Sequence, residues 1–138
     1  MSQAQVLQAF PSATTPIEKE TIKSGASCEL AIPNYVISSD NYRVCFYFAA
    51  DKLVQVMLSA QTPSRTQFEI LLSLLRSKYG RELGSGDNPC TVDGYTKCSA
   101  DWVLPSGTNV SATYYELGNA SILNVNYQTR MAADASNL

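Results

Sequence analysis

Between Pro63 and Gly80 the chain carries its most sharply bounded amphipathic segment, and this one helix limits what the remaining residues can fold into. Pro63 at the start, Ser64 and Gln67 at capping-box spacing, and Gly80 directly after Tyr79 predict a helix over Ser64–Tyr79. Phe68, Leu71, Leu72, Leu75 and Tyr79 then form one stripe, wide enough to cover a sheet. Ile70 and Leu74 fall off it. Two explanations stand for that pair: a wide helix face that also touches a second helix, or a surface for a partner protein.

The other segments read as strands. Ahead of the helix, residues 2–10 carry Val6, Leu7 and Phe10 at helical spacing behind Ser2, and Pro11 ends the pattern, so a short opening helix is expected. Ile17–Lys23 alternates charged and apolar residues like an exposed edge strand. Glu29–Ile37, Tyr42–Phe48 and Leu53–Leu58 follow as three strands, with turns at Asp40-Asn41 and Asp51-Lys52. Val44, Phe46 and Phe48 take one face of their strand, and Arg43, Cys45 and Tyr47 the other. Arg81–Ser99, rich in Gly, Asp, Asn and Pro, reads as a long loop. Strands at Asp101–Leu104, Thr108–Tyr115 and Ser121–Gln128 complete the pattern. With a single crossover able to hold a long helix, a parallel doubly wound sheet is excluded. The expected fold is α+β: one domain over residues 1–130, an antiparallel sheet of about six to seven strands with one long and one short helix packed on it, and a disordered tail over 131–138.

Composition points towards an exported protein by association only. Only 16% of residues are charged, so Ser, Thr, Asn, Gln and Tyr must supply the polar surface, as is common in exported proteins. Cys28, Cys45, Cys90 and Cys98 stand in no C-x-x-C arrangement, and without histidine a zinc site would need all four thiolates at spacings that suit it poorly. Disulfides fit better. The Asp93-Gly94 turn can bring Cys90 opposite Cys98. Cys28–Cys45 follows by elimination, although a turn at Asp40-Asn41 sets Cys45 opposite Val36, so this pairing needs the chain to change course near Pro33-Asn34. Four free thiols in a cytosolic protein remain the alternative. No apolar stretch approaches a membrane span, and Met1–Val6 lacks signal-peptide regions. A periplasmic or secreted protein whose leader has been removed is therefore expected.

Several chemistries drop out. The absence of histidine removes imidazole-based catalysis, and no phosphate-binding glycine motif occurs in a strand-to-helix context. No cofactor is expected. The net charge of −2 comes without basic runs, which argues against nucleic acid. Asp87, Asp93 and Asp101 offer a minor alternative, a carboxylate-based glycan hydrolase, although acidic residues in such a loop more often form turns. The aromatic residues are more informative. Tyr114 and Tyr115 must face opposite sides of a strand, and Tyr47 lies opposite its strand's apolar face, so Tyr47, Tyr115 and Arg43 compose a candidate partner-binding surface, with Ile70 and Leu74 as a second contribution.

The pattern Phe46-x-Phe48, Asp51-Lys52-Leu53-Val54-x-Val56, Phe68-x-x-x-Leu72-x-x-Leu75-x-x-Lys78-Tyr79-Gly80, Trp102, Gly107 and Leu123-x-Val125-x-Tyr127 resembles small bacterial envelope proteins. That group includes β-lactamase-inhibitor-protein-like domains and small outer-membrane assembly lipoproteins. The resemblance spans residues 40–128, carries no functional residue across, and lacks the helix-turn-helix opening of the inhibitor repeats. It implies a periplasmic binding or inhibitory module. The functional expectation is thus a non-catalytic, extracytoplasmic protein-binding module, an inhibitor or toxin-immunity protein acting by occlusion, with a structural or assembly role in the envelope as the alternative.

Overall fold

The computed structural model describes residues 1–84 and 89–129; the expected tail at 131–138 and Asp87 lie outside them. Within the described residues the order is α1 (Gln3–Ala9), β1 (Ser27–Ile37), β2 (Asp40–Ala49), β3 (Lys52–Ala60), α2 (Arg65–Tyr79), β4 (Cys90–Val92), β5 (Thr96–Val103), β6 (Asn109–Leu117) and β7 (Ala120–Gln128). The strands form one antiparallel sheet in the order β1-β2-β3-β7-β6-β5-β4. Two meanders, β1 to β3 and β4 to β7, therefore meet where β3 pairs with β7. The chain leaves β3 at the middle of the sheet and must reach its far edge, four strand spacings or roughly 19 Å away. The 15 residues of α2 span roughly 22 Å at helical rise, so the helix makes that crossing while laying its apolar stripe on one face.

The ends of α2 are set locally. Ser64 is the N-cap, its hydroxyl accepting from the Gln67 backbone N–H at 3.1 Å. The reciprocal half of the expected capping box is not made: the Gln67 side chain turns inward, buried, and lies against the Tyr42 phenol. At the other end Gly80 takes φ +82°, and the Trp102 indole N–H donates to the Gly80 carbonyl at 2.8 Å. Phe68, Leu71, Leu72 and Leu75 pack with Trp102, Val110, Ala112, Tyr114, Leu123 and Val125 into the main core. No helix among the described residues is long and apolar enough to cross a membrane.

The N-terminal half departs from the expected strand pattern in three places. Residues 17–23 form no strand; the segment from Pro11 to Ala26 is a strap touching the sheet edge at the isolated bridges Thr14↔Ala31 and Thr21↔Ser27. The first hairpin turns at Ser38-Ser39, both at positive φ, rather than at Asp40-Asn41. Register shifts between Ile32 and Tyr35 and between Cys28 and Leu30 then place Cys45 opposite Ala31 and Cys28 opposite Tyr47. Cys28 and Cys45 end as diagonal neighbours on one face and are disulfide-bonded. The change of course near Pro33-Asn34 is thus a bulge. Cys90 and Cys98 stand directly opposite each other in the β4–β5 hairpin and form the second disulfide, so part of the expected long loop is strand.

The strap has a further consequence. It covers the face of β2 opposite α2, where Ala26, Cys28, Ala31, Cys45 and Tyr47 make a second, smaller core flanked by Ile22, Val54 and Met57. Tyr47 is fully buried there, its hydroxyl donating to Glu20 Oε2 at 3.2 Å, so it cannot belong to an exposed binding surface. Truncating so large a core side chain should be costly. Tyr47→Ala is expected to lose roughly 3–5 kcal/mol of stability in urea denaturation; a loss below about 1 kcal/mol would place the ring at the surface after all.

Candidate functional site

The inner face of the sheet is covered unequally. Helix α2 meets Tyr42 of β2 at its first turn and then crosses the β5–β7 side, which leaves much of the inner face of β1, β2 and β3 to α1, a helix of only 7 residues. Two turns of helix cannot fill the space above Ile32, Ile37, Val44, Phe46, Leu53, Val56 and Leu58. A cavity of about 490 Å³ remains. Val6 and Phe10 roof one side, with the Phe10 ring 5.4 Å from that of Phe46, and the C-terminal end of α2 closes another. Such a volume, apolar walls and few polar groups are the ordinary makeup of a small-molecule pocket.

The polar groups sit together. Tyr35 and Tyr127 line the cavity with Lys78, and Tyr79 follows Lys78 on α2. The Lys78 ammonium lies 5.2 Å from the centre of the Tyr79 ring. Burial pushes the Tyr127 phenol up to about 12, and the neighbouring Tyr79 and Tyr35 phenols add to the effect. Tyr127 therefore remains a protonated hydrogen-bond donor throughout the physiological range. Nearby on α2, Arg76 is committed elsewhere: its Nε and Nη2 donate to the Glu82 carboxylate at 2.8–3.1 Å.

The residues expected to bind a partner are dispersed. Arg43, Tyr47 and Tyr115 do share the outer sheet face, but Tyr47 is covered by the strap and Arg43 ion-pairs with Glu20 at 3.5 Å. Tyr115 is half-buried on β6, three strands from Arg43, with the Lys97 ammonium 5.6 Å from its ring centre. Ile70 and Leu74 lie on the outward side of α2 at 38% and 45% exposure, so the opening helix does not cover them. Asp93 sits at the β4–β5 turn, whereas Asp101 accepts from Ser111 Oγ at 2.6 Å near the far end of β5. Five residue steps along the strand, roughly 17 Å, take Thr96 to Asp101, well beyond the spacing of a glycosidase carboxylate pair. Among the described residues no group of three or more Cys, Asp and Glu gathers to hold a metal.

The cavity went unread because a void has no residue of its own. One signal did point to it: seven large apolar side chains on the inner face of β1–β3 against only Val6, Leu7 and Phe10 to cover them. Comparison with protein-family models, curated proteins and solved structures finds no match to this chain.

The buried phenols have a measurable signature. Tyr47 and Tyr127 are both raised to about 12, Tyr47 by burial and then by the Glu20 carboxylate against a smaller opposing effect of Arg43. Because the folded-state value lies above the unfolded one, their contribution to stability is complete below about pH 10 and is lost as pH rises towards 12. In an alkaline absorbance titration of the eight tyrosines, Tyr42, Tyr47 and Tyr127 should ionise after the rest, and Tyr127→Phe should remove one of these late groups. A single step near pH 10 in the folded protein would contradict this placement.

Proposed function

We propose that this chain is an extracytoplasmic, non-catalytic binding protein that holds a small apolar molecule between α1, the end of α2 and the inner face of β1–β3. The cavity carries this reading: its volume of about 490 Å³ is that of a ligand pocket, whereas a closed core of this size would hold few voids larger than a water molecule. Two disulfides support a periplasmic or secreted setting, since such bonds persist where the medium is oxidising. The resemblance to envelope binding modules points the same way. A second reading, capture of a protein partner, is favoured by the exposed Ile70 and Leu74 on the outer side of α2.

One experiment separates the two. The neutral apolar fluorophore N-phenyl-1-naphthylamine should bind with one-to-one stoichiometry. Val56→Trp, which places a ring in the cavity, should abolish its fluorescence gain while thermal unfolding stays cooperative. The double variant Ile70→Glu with Leu74→Glu should bind the fluorophore unchanged. Loss of binding in the double variant and retention in Val56→Trp would move the apolar site to the outer helix face.

A further inference from the structure

Resting on that binding function, we infer that the cavity takes a single-chain fatty carboxylate, its tail among Ile32, Val44, Phe46, Val56 and Leu58 and its head group at Lys78. The walls are apolar, and the polar side chains converge where α2 ends. Lys78 brings a positive charge to the mouth, and no carboxylate among the described residues lies within ion-pair distance of it. Glu82, six residues from Arg76, is already held by that arginine. Among the described residues the Lys78 ammonium thus meets the Tyr79 ring but no carboxylate beside an apolar chamber, and an amphiphile ending in an anion satisfies both.

The neighbouring phenols narrow the head group. Tyr35 and Tyr127 line the same cavity, Tyr127 hydrogen-bonded to Tyr79, and a phenol hydroxyl is a group to which an oxyanion can bond. One ammonium plus neutral phenols matches a singly charged carboxylate. A phosphate carries more charge and is best met by the planar fork of an arginine, and Arg76 is engaged by Glu82. The same surroundings disfavour a cationic amphiphile, whose head would meet Lys78. The C-terminal end of α2 is itself an unfavourable place for an anion. Lys78 is what reverses that local sign, so it determines specificity.

The test compares head groups on one tail. Isothermal titration of the full chain at pH 8 should show tetradecanoate binding about tenfold tighter than tetradecanol, with tetradecyl phosphate weaker than the carboxylate and tetradecyltrimethylammonium weakest. Affinity should rise by about fourfold per methylene from decanoate upward until the cavity is full. Lys78→Met, which keeps the apolar stem at an exposed site, should lower tetradecanoate affinity by about fivefold and leave tetradecanol unchanged. Tyr127→Phe should act in the same direction more weakly. If carboxylate and alcohol bind alike and Lys78→Met alters neither, the head-group assignment is overturned while the cavity function stands. Tighter binding of the phosphate would also overturn it. If no amphiphile binds, both fall together.

Discussion

The pairing of β3 with β7 is the constraint on which the inner face depends. Each meander is local, but this ladder, from Gln55↔Gln128 to Ser59↔Asn124, joins residues about half the chain apart and makes one sheet of two. Gln55 secures it from the outer side. It is buried, donates to Asn126 Oδ1 at 2.7 Å and accepts from Gln128 Nε2 at 2.7 Å, so its amide is not left unpaired away from water. Once β3 and β7 are adjacent, β4 is forced to the far edge and α2 must cross the β5–β7 half. The route of the helix follows from the strand order.

That route creates the asymmetry between the two halves of the inner face. A helix lying mostly over one half of the sheet leaves much of the other half to a two-turn helix, and the apolar side chains of β1–β3 line a half-open cavity beneath it. Empty apolar volume costs stability, because its lining lacks contacts on one side. The opposite face is treated differently. There the Pro11–Ala26 strap, the Cys28–Cys45 disulfide and the Tyr47–Glu20–Arg43 contacts close a small core tightly. Beneath the cavity floor, β1 and β2 are therefore tied together from behind, which braces one wall of the cavity.

What the sequence disclosed was whatever depends on near neighbours in the chain. The limits of α2 follow from Ser64 and Gly80, and the Cys90–Cys98 pairing from the Asp93-Gly94 turn, each acting within a few residues. The Ser38-Ser39 turn stayed hidden because serine has no marked preference for positive φ. The bulges of β1 were hidden as well, and with them the register that joins Cys28 to Cys45. Tyr47 was misplaced for a tertiary reason: its strand face is the polar one by alternation, and only the strap turns it into a core. Of the candidate site, Tyr35, Lys78, Tyr79 and Tyr127 were each visible as members of strands, stripe or motif. Their convergence was not, because it is set by long-range pairing and by how far a short helix can reach.

On the proposed function, ligand enters the inner chamber between α1 and β1–β3. Methyl-resolved NMR of the protein labelled at Ile, Leu and Val, titrated with tetradecanoate, addresses it most directly. Shifts and ligand contacts are expected at Ile32, Ile37, Val44, Leu53, Val56 and Leu58, with Ile70, Leu74 and Ile122 unchanged. Shifts confined to Ile70 and Leu74, or none at saturating ligand, would contradict it.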